Sequence, residues 1–270
     1  MENTATLDPT RTYRAIWISD IHLGFPGCSA EYLLDFLHST QCEYLYLVGD
    51  IIDLWYMKKR LYWPQAHNNV IQAILSKAKR GTQVIYVPGN HDELFRDYDG
   101  MKFGNVLIKN EVVHITANGR CLLVMHGDQF DVVVRSSRTL LLMGTKTYNW
   151  LLQANRWVNL IRRKLGLNYW SLSCFMKRKV KNAAHYISNF ETAVAYEAAR
   201  RRVDGLICGH IHRAEMTHLH GVLYCNSGDW VESCTALVED EDGSIELLHW
   251  SDVKHSLKHL PSMPLKAAVC

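Results

Sequence analysis

The chain has 270 residues, 48% of them hydrophobic and 21% charged, with a net charge of +3. That is ordinary globular composition, and one domain, or one domain with an insertion, is the natural count. No apolar run reaches the roughly 18 residues a transmembrane helix needs, and the opening MENTATLDPTRTY lacks the basic-then-apolar pattern of a secretory signal, so neither is expected. Tyr13–Ser19 reads as a strand, and Ala30–Ser39, apolar at 33, 34, 36 and 37, as a helix. Tyr44–Val48 is the next strand. Ala66–Arg80 has apolar residues at 70, 71, 74, 75 and 78, a helical spacing that Gly81 ends. Gln83–Val87 is again a strand, and this βαβαβ order predicts a sheet with helical crossovers.

Strands come next at 106–108, 112–116 and 120–125, the last two joined by the hairpin signal Ala117-Asn-Gly119. Residues from about 132 to 202 read as helical throughout. Strands resume at 204–208, 215–219, 222–225, 234–239 and 244–249, with Asp242-Gly243 as a second hairpin turn. The expected organisation is an α/β core over 1–131 and 203–250, a helical insertion over 132–202 and a tail over 251–270. Eight scattered cysteines, none in a C-x-x-C pair, read as free thiols of a cytosolic protein, most of them buried.

The charge is unevenly spread. Residues 132–190 hold eleven Lys or Arg and no Asp or Glu, so this stretch carries +11 and the remainder −8. The same stretch holds Trp150, Trp157 and Trp170 among apolar clusters such as Leu140–Met143. Basic, aromatic amphipathic helices suit anionic headgroups and membrane interfaces. The blander reading is a bundle packed on the core with its cations in water. Nucleic acid is not expected, since no recognised motif for it is present.

The segments just past the predicted strands are more specific. After 13–19 comes Asp20-Ile-His22, and after 44–48 comes Gly49-Asp50-Ile-Ile-Asp53. After 83–87 comes Gly89-Asn90-His91-Asp92, and after 120–125 comes His126-Gly127-Asp128. After 204–208 comes Gly209-His210-Ile-His212. Each motif alone is commonplace. Five at strand ends place carboxylate, imidazole and amide oxygen at the edge where open α/β sheets bind ligands. That donor set suits divalent Mn, Fe or Zn, and the lack of paired cysteines argues against a structural zinc. A carboxylate such as Asp50 can bridge two ions, the arrangement used in two-metal phosphoryl chemistry.

As a set, these five motifs resemble the ordered motifs of the calcineurin-like metallophosphoesterases. The resemblance covers nearly the whole chain outside the insertion. It implies a four-layer α/β/β/α sandwich with the insertion as a lid. It also implies two divalent ions, manganese foremost with iron and zinc compatible. One ion would take Asp20, His22, Asp50 and His212, the other Asp50, Asn90, His126 and His210. His91 would stand beside the scissile phosphate as a catalytic group rather than a ligand, with Asp53 hydrogen-bonded to it and orienting the imidazole. Asp92 and Asp128 read as loop-fixing residues.

Leu54-Trp55 stands where the protein Ser/Thr phosphatases of the superfamily have Arg-Gly. Gly49–Trp55, His126–Asp128, Gly209–Arg213 and Ser227-Gly-Asp-Trp230 look most like the UDP-2,3-diacylglucosamine pyrophosphatase group of lipid A synthesis. That resemblance implies a cytoplasmic enzyme in peripheral contact with the inner membrane, releasing UMP and an acylated sugar 1-phosphate. Arg135, Arg138, Trp150 and Trp157 are the substrate-binding candidates in the insertion. The chain departs from that group at two linked positions, with His91 in place of Arg and Asp53 in place of the usual Glu. The residues after His126-Gly-Asp128 also differ. A paralogue acting on a different nucleotide or phospholipid-type phosphoester is therefore the alternative.

Overall fold

The computed structural model describes residues 11–131 and 181–251. In its first sheet, strands β1 (Arg11–Ile18), β2 (Thr40–Val48), β3 (Gln83–Val87) and β5 (Val106–Ile108) run parallel. The edges are antiparallel: β4 (Lys102–Phe103) pairs with β5, while β11 (Thr235–Glu239) and β12 (Ile245–His249) extend the sheet beyond β1. The seven strands lie in the order β12-β11-β1-β2-β3-β5-β4. In the second sheet β7 (Cys121–Val124), β8 (Gly205–Cys208) and β10 (Val222–Asn226) are parallel, with β6 (Val112–Ile115) and β9 (Glu215–Leu219) as antiparallel edges. Its five strands lie in the order β6-β7-β8-β10-β9.

Three apolar layers hold these sheets together. Helices α1 (Ala30–Ser39) and α3 (Gln65–Lys79) cover the outer face of the first sheet. α1 buries Leu33, Phe36 and Leu37, and α3 buries Val70, Ala73, Ile74 and Ala78. That spacing of three and four residues puts each apolar set on one helical stripe. Between the sheets lie Trp17, Tyr46, Val48, Ile85, Val87, Leu122, Val124, Ile207, Leu223 and Leu237. Helix α4 (Lys181–Arg201) packs Phe190, Val194 and Ala198 against Leu206, Cys208 and Tyr224 on the far face of the second sheet. The result is the α/β/β/α sandwich. The parallel strands end in near-continuous buried runs, such as Ala15–Ile18, Leu45–Val48 and Val84–Val87, because both of their faces are covered.

Most predicted elements recur within a residue or two. The one-turn helix α2 (Leu54–Met57), the 3₁₀ segment Glu93–Tyr98 and the two-residue β4 are additional to those expected from the sequence. Each is too short to show a period. The cysteines at 28, 42, 121, 208, 225 and 234 are free thiols, all but Cys121 buried. Among the described residues no helix is long and apolar enough to cross a membrane. The expected tail beyond Ser251 and all of the insertion before Lys181 lie outside the described residues.

One polar cluster sits within the sandwich. Glu239, fully buried on β11, accepts hydrogen bonds from Arg14 Nη1 at 2.9 Å and the Ala117 N–H at 2.7 Å, and its Oε2 lies 2.7 Å from His114 Nε2. His114 Nδ1 in turn lies 2.8 Å from the Tyr46 hydroxyl. The cluster ties β6 and its hairpin to three strands of the first sheet. Glu239→Ala would leave buried His114 Nε2 without its carboxylate and Arg14 with the Ile115 carbonyl as its acceptor, a loss of about 1–3 kcal/mol. Chemical denaturation should read that loss, and a change below about 1 kcal/mol would mean that apolar packing alone joins the sheets.

Candidate active site

The carboxyl ends of β1, β2, β3, β7 and β8 all deliver their polar residues to one edge of the sandwich. Asp20, His22 and His212 each bring a potential ligand atom within 4.8 Å of the others, as do His22, Asp50 and His91, and Asp20, Asp50 and His126. Asp50 lies between two of these groups. Its Oδ2 is 3.8 Å from His22 Nε2, and its Oδ1 is 3.5 Å from His126 Nε2. Asp20 Oδ1 is 3.2 Å from His212 Nε2. Nearly all of this is buried, Asp20 and His126 completely.

Local backbone geometry places these side chains. Asp20, His22, Asp50, His210 and His212 have φ between 51° and 67°, the left-handed region. Among the described residues only three other non-glycine residues share it. Each such residue costs on the order of 1–3 kcal/mol and persists where the surroundings demand it. Here the conformation turns the chain sharply at the end of a strand and aims the side chain back over the sheet edge. The segments after β1 and β2 then stay bonded to each other, His22 N–H donating to Asp50 O at 2.9 Å and Asp53 N–H to Leu23 O at 2.8 Å. The glycines of the motifs make room. A Cβ on Gly49 would strike the His126 ring, and one on Gly89 would strike Asp50.

Asp53 serves three partners. It caps α2 by accepting from the Tyr56 N–H at 2.8 Å. Its Oδ2 lies 3.1 Å from His22 Nδ1, and its Oδ1 lies 2.9 Å from His91 Nδ1. The Asp53–His91 contact is the one expected from the sequence, and the link to His22 is additional. Both rings are thereby turned with Nε2 toward Asp50; His91 Nε2 lies 3.9 Å from its carboxylate. His91 N–H also donates to Asp50 Oδ1 at 2.8 Å. Buried Asp92 accepts from the N–H groups of Gly89 at 2.6 Å and Ile51 at 2.8 Å and from the Tyr86 hydroxyl, fixing the two loops together. Asp128 pairs with Arg96 at 2.7 Å.

The family model for calcineurin-like phosphoesterases matches residues 13–214. The chain belongs to that family. It is a phosphoesterase, and curated relatives are hydrolases. The UDP-2,3-diacylglucosamine hydrolase of Neisseria meningitidis is 27% identical over 243 residues, covering 86% of this chain and 96% of that protein. The enzyme of the same name from Salmonella newport is 28% identical over 217 residues, covering 76% and 84%. Among solved structures, the phosphopantetheinyl hydrolase of Mycobacterium tuberculosis aligns with a TM-score of 0.43 at 16% identity, covering 83% of this chain and 92% of that one.

Calcineurin-like phosphoesterases use divalent metal ions, and the donors here fit them. Asp20 Oδ1, His22 Nε2, Asn90 Oδ1, His126 Nε2 and His212 Nδ1 are buried without a hydrogen bond. An unsatisfied buried polar atom costs about 1–3 kcal/mol. Oxygen and imidazole nitrogen gathered this way are what a borderline divalent cation satisfies.

In the metal-free protein, protons supply the missing positive charge. Burial opposes a charged His22, but Asp53, Asp50 and Asp20 prevail and raise its pKa to about 9. Burial opposes a charged His126 too, and Asp50, with help from Asp20 and Asp128, lifts it to about 10. Burial would raise Asp20, yet His212 and His126 hold it near 2. These raised imidazole values stabilise the metal-free fold fully below the ordinary histidine pKa, and the contribution is lost as pH climbs through about 9 and 10. Metal ligation requires the neutral rings. Loading near neutral pH is therefore expected to release about two protons, and affinity to rise with pH up to that range. Calorimetric titrations in buffers of different ionisation enthalpy count these protons, and heats independent of the buffer would refute the expectation.

Three neighbours of the site are additional to the candidates drawn from the sequence. The Trp55 ring, 41% exposed, lies against His91 with centroids 4.5 Å apart. Asp229, from Ser227-Gly-Asp-Trp230, lies 3.8 Å from His212 Nδ1 and is itself held by the N–H groups of Val231 at 2.9 Å and Ser233 at 3.1 Å. Asp131 contacts His210. The first two fall inside motifs already visible in the sequence, and Asp131 carries no signal of its own. Arg135, Arg138, Trp150 and Trp157 lie outside the described residues.

Proposed function

We propose that this phosphoesterase binds two divalent ions, manganese foremost, and hydrolyses the pyrophosphate of UDP-2,3-diacylglucosamine or a close relative. The observation that carries the chemistry is the overlap of the groups Asp20–His22–His212 and Asp20–Asp50–His126, with His91 beside Asp50 but tethered by Asp53. Ions held by these donors supply the charge that gathers phosphoryl oxygens and acidifies water. His91 does the rest of the proton work. Its Nδ1 is committed to Asp53, so Nε2 is the atom that faces substrate, where it can stabilise developing charge or pass a proton to the departing oxygen. The substrate class rests on relatives about 27% identical over most of the chain. The basic, tryptophan-bearing stretch 132–190 suits an acylated, anionic substrate met at a membrane surface.

The test is release of UMP from UDP-2,3-diacylglucosamine by purified, manganese-loaded protein. Turnover at an enzyme-like rate supports the reading. No UMP, with hydrolysis of a bis-aryl phosphodiester retained, would mean a different natural phosphoester. The His91–Asp53 pair, which departs from the pattern of that group, favours this second reading.

A further inference from the structure

We propose that Asp131 is a positioning residue for the second ion, holding His210 so that Nδ1 rather than Nε2 is offered to the centre. This rests on the reading of the site as a two-ion centre. His210 Nε2 lies 2.8 Å from Asp131 Oδ1. A carboxylate accepts, so the Nε2 carries the proton, and the lone pair of the neutral ring is then on Nδ1. Two other rings of the site are held the opposite way round. His22 and His126 are pinned at Nδ1, by Asp53 at 3.1 Å and by the Val48 carbonyl at 2.9 Å, and both leave Nε2 buried and without a hydrogen bond. His210 alone among these three needs a brace on its far nitrogen.

The surroundings fix both ends of that brace. His210 has φ 67°, and its backbone N–H donates to Asp20 Oδ2 at 2.9 Å, so the base of the side chain is tied to the centre itself. Its ring stands 5.2 Å from that of His126. Asp131 comes directly after the 3₁₀ turn Asp128–Phe130. Arg96 anchors the start of that turn through Asp128, and Phe130 packs edge-on against Phe190 at 5.4 Å near its end. Because β7 and β8 are parallel neighbours, the segment that leaves β7 after His126 passes beside the loop that leaves β8 with His210. One six-residue stretch, His126-Gly-Asp-Gln-Phe-Asp131, thus supplies a ligand candidate and the brace for the ligand candidate of the next strand.

The experiment titrates manganese into metal-stripped, full-length wild type and Asp131→Ala. Calorimetry reads each affinity, and electron paramagnetic resonance reads whether two ions are exchange-coupled. Loss of a carboxylate brace on a liganding histidine costs about 10–100-fold in affinity. Asp131→Ala should lose that much at one of two sites, hold the other within about twofold, and replace the coupled spectrum with that of isolated ions. Asp131→Glu should recover part of the loss. Asp131→Asn, which keeps shape and an acceptor oxygen, takes the place of the alanine variant if that fails to fold, with a smaller shift in the same site. Wild type taking up two coupled ions beside an identical Asp131→Ala would overturn the brace alone. Wild type taking up only one would overturn the two-ion reading beneath it.

Discussion

Asp50→Ala is expected to abolish turnover and remove both ions. Among the described residues Asp50 contacts three histidines of the centre. Its two oxygens lie 3.5 Å from His126 Nε2, 3.8 Å from His22 Nε2 and 3.9 Å from His91 Nε2, and it also accepts the His91 N–H at 2.8 Å. Burial alone would raise its pKa, but His126, then His22 and His91, hold it well below the usual carboxylate range and so favour its charged form. Loss of a brace behind a ligand costs about 10–100-fold in metal affinity; loss of a carboxylate placed between both groups of donors should exceed that. The measurement is thermal unfolding with and without manganese. Wild type at 100 times the dissociation constant gains about 2.7 kcal/mol for each ion, and the variant should gain nothing. The substitution also removes the main partner that holds His126 protonated, so fewer protons should leave on loading. A variant that keeps its manganese-dependent stabilisation and its activity would sink the shared-carboxylate reading.

His91→Ala is the complementary case. It should lower kcat by about 10²–10⁴-fold, the usual worth of a positioned acid or base, while both ions stay bound. The separation is possible because the side chain of His91 is oriented by Asp53 rather than by the centre. KM should change far less than kcat, since a group acting on the leaving oxygen works in the transition state more than in the bound substrate. Loss of an ion together with activity would instead make His91 a ligand beside His22 and Asp50. Asp53→Asn should act on both functions at once, because one carboxylate holds His91 and His22.

The sequence alone determined which side chains stand at the strand ends and in what order. Strand identity comes from short apolar runs, and a run such as Gln83–Val87 ends where Pro88-Gly89 cannot continue it, so Asn90 and His91 had to lie just past the sheet. The helices α1 and α3 were legible for the same reason, since ten and fifteen residues are enough to show a stripe of period 3.6. Nothing local reports which strands become neighbours. That β7 and β8 lie side by side, bringing Asp131 to His210, depends on how a second sheet packs across the layer of Trp17, Val48, Val124 and Ile207. The same holds for Asp53. The resemblance of Gly49-Asp-x-x-Asp53 to the family motif implied a partner for His91, but its second bond, to His22, exists because the loops after β1 and β2 zip together through left-handed turns. Tertiary packing also decided why the motifs contain glycine: only the folded arrangement puts the His126 ring where the Cβ of residue 49 would be. Chemistry-bearing residue types are a one-dimensional property. Their pairing, tautomers and charge are set by distances of a few ångströms between distant segments, such as those of Asp20 and His210, 190 residues apart.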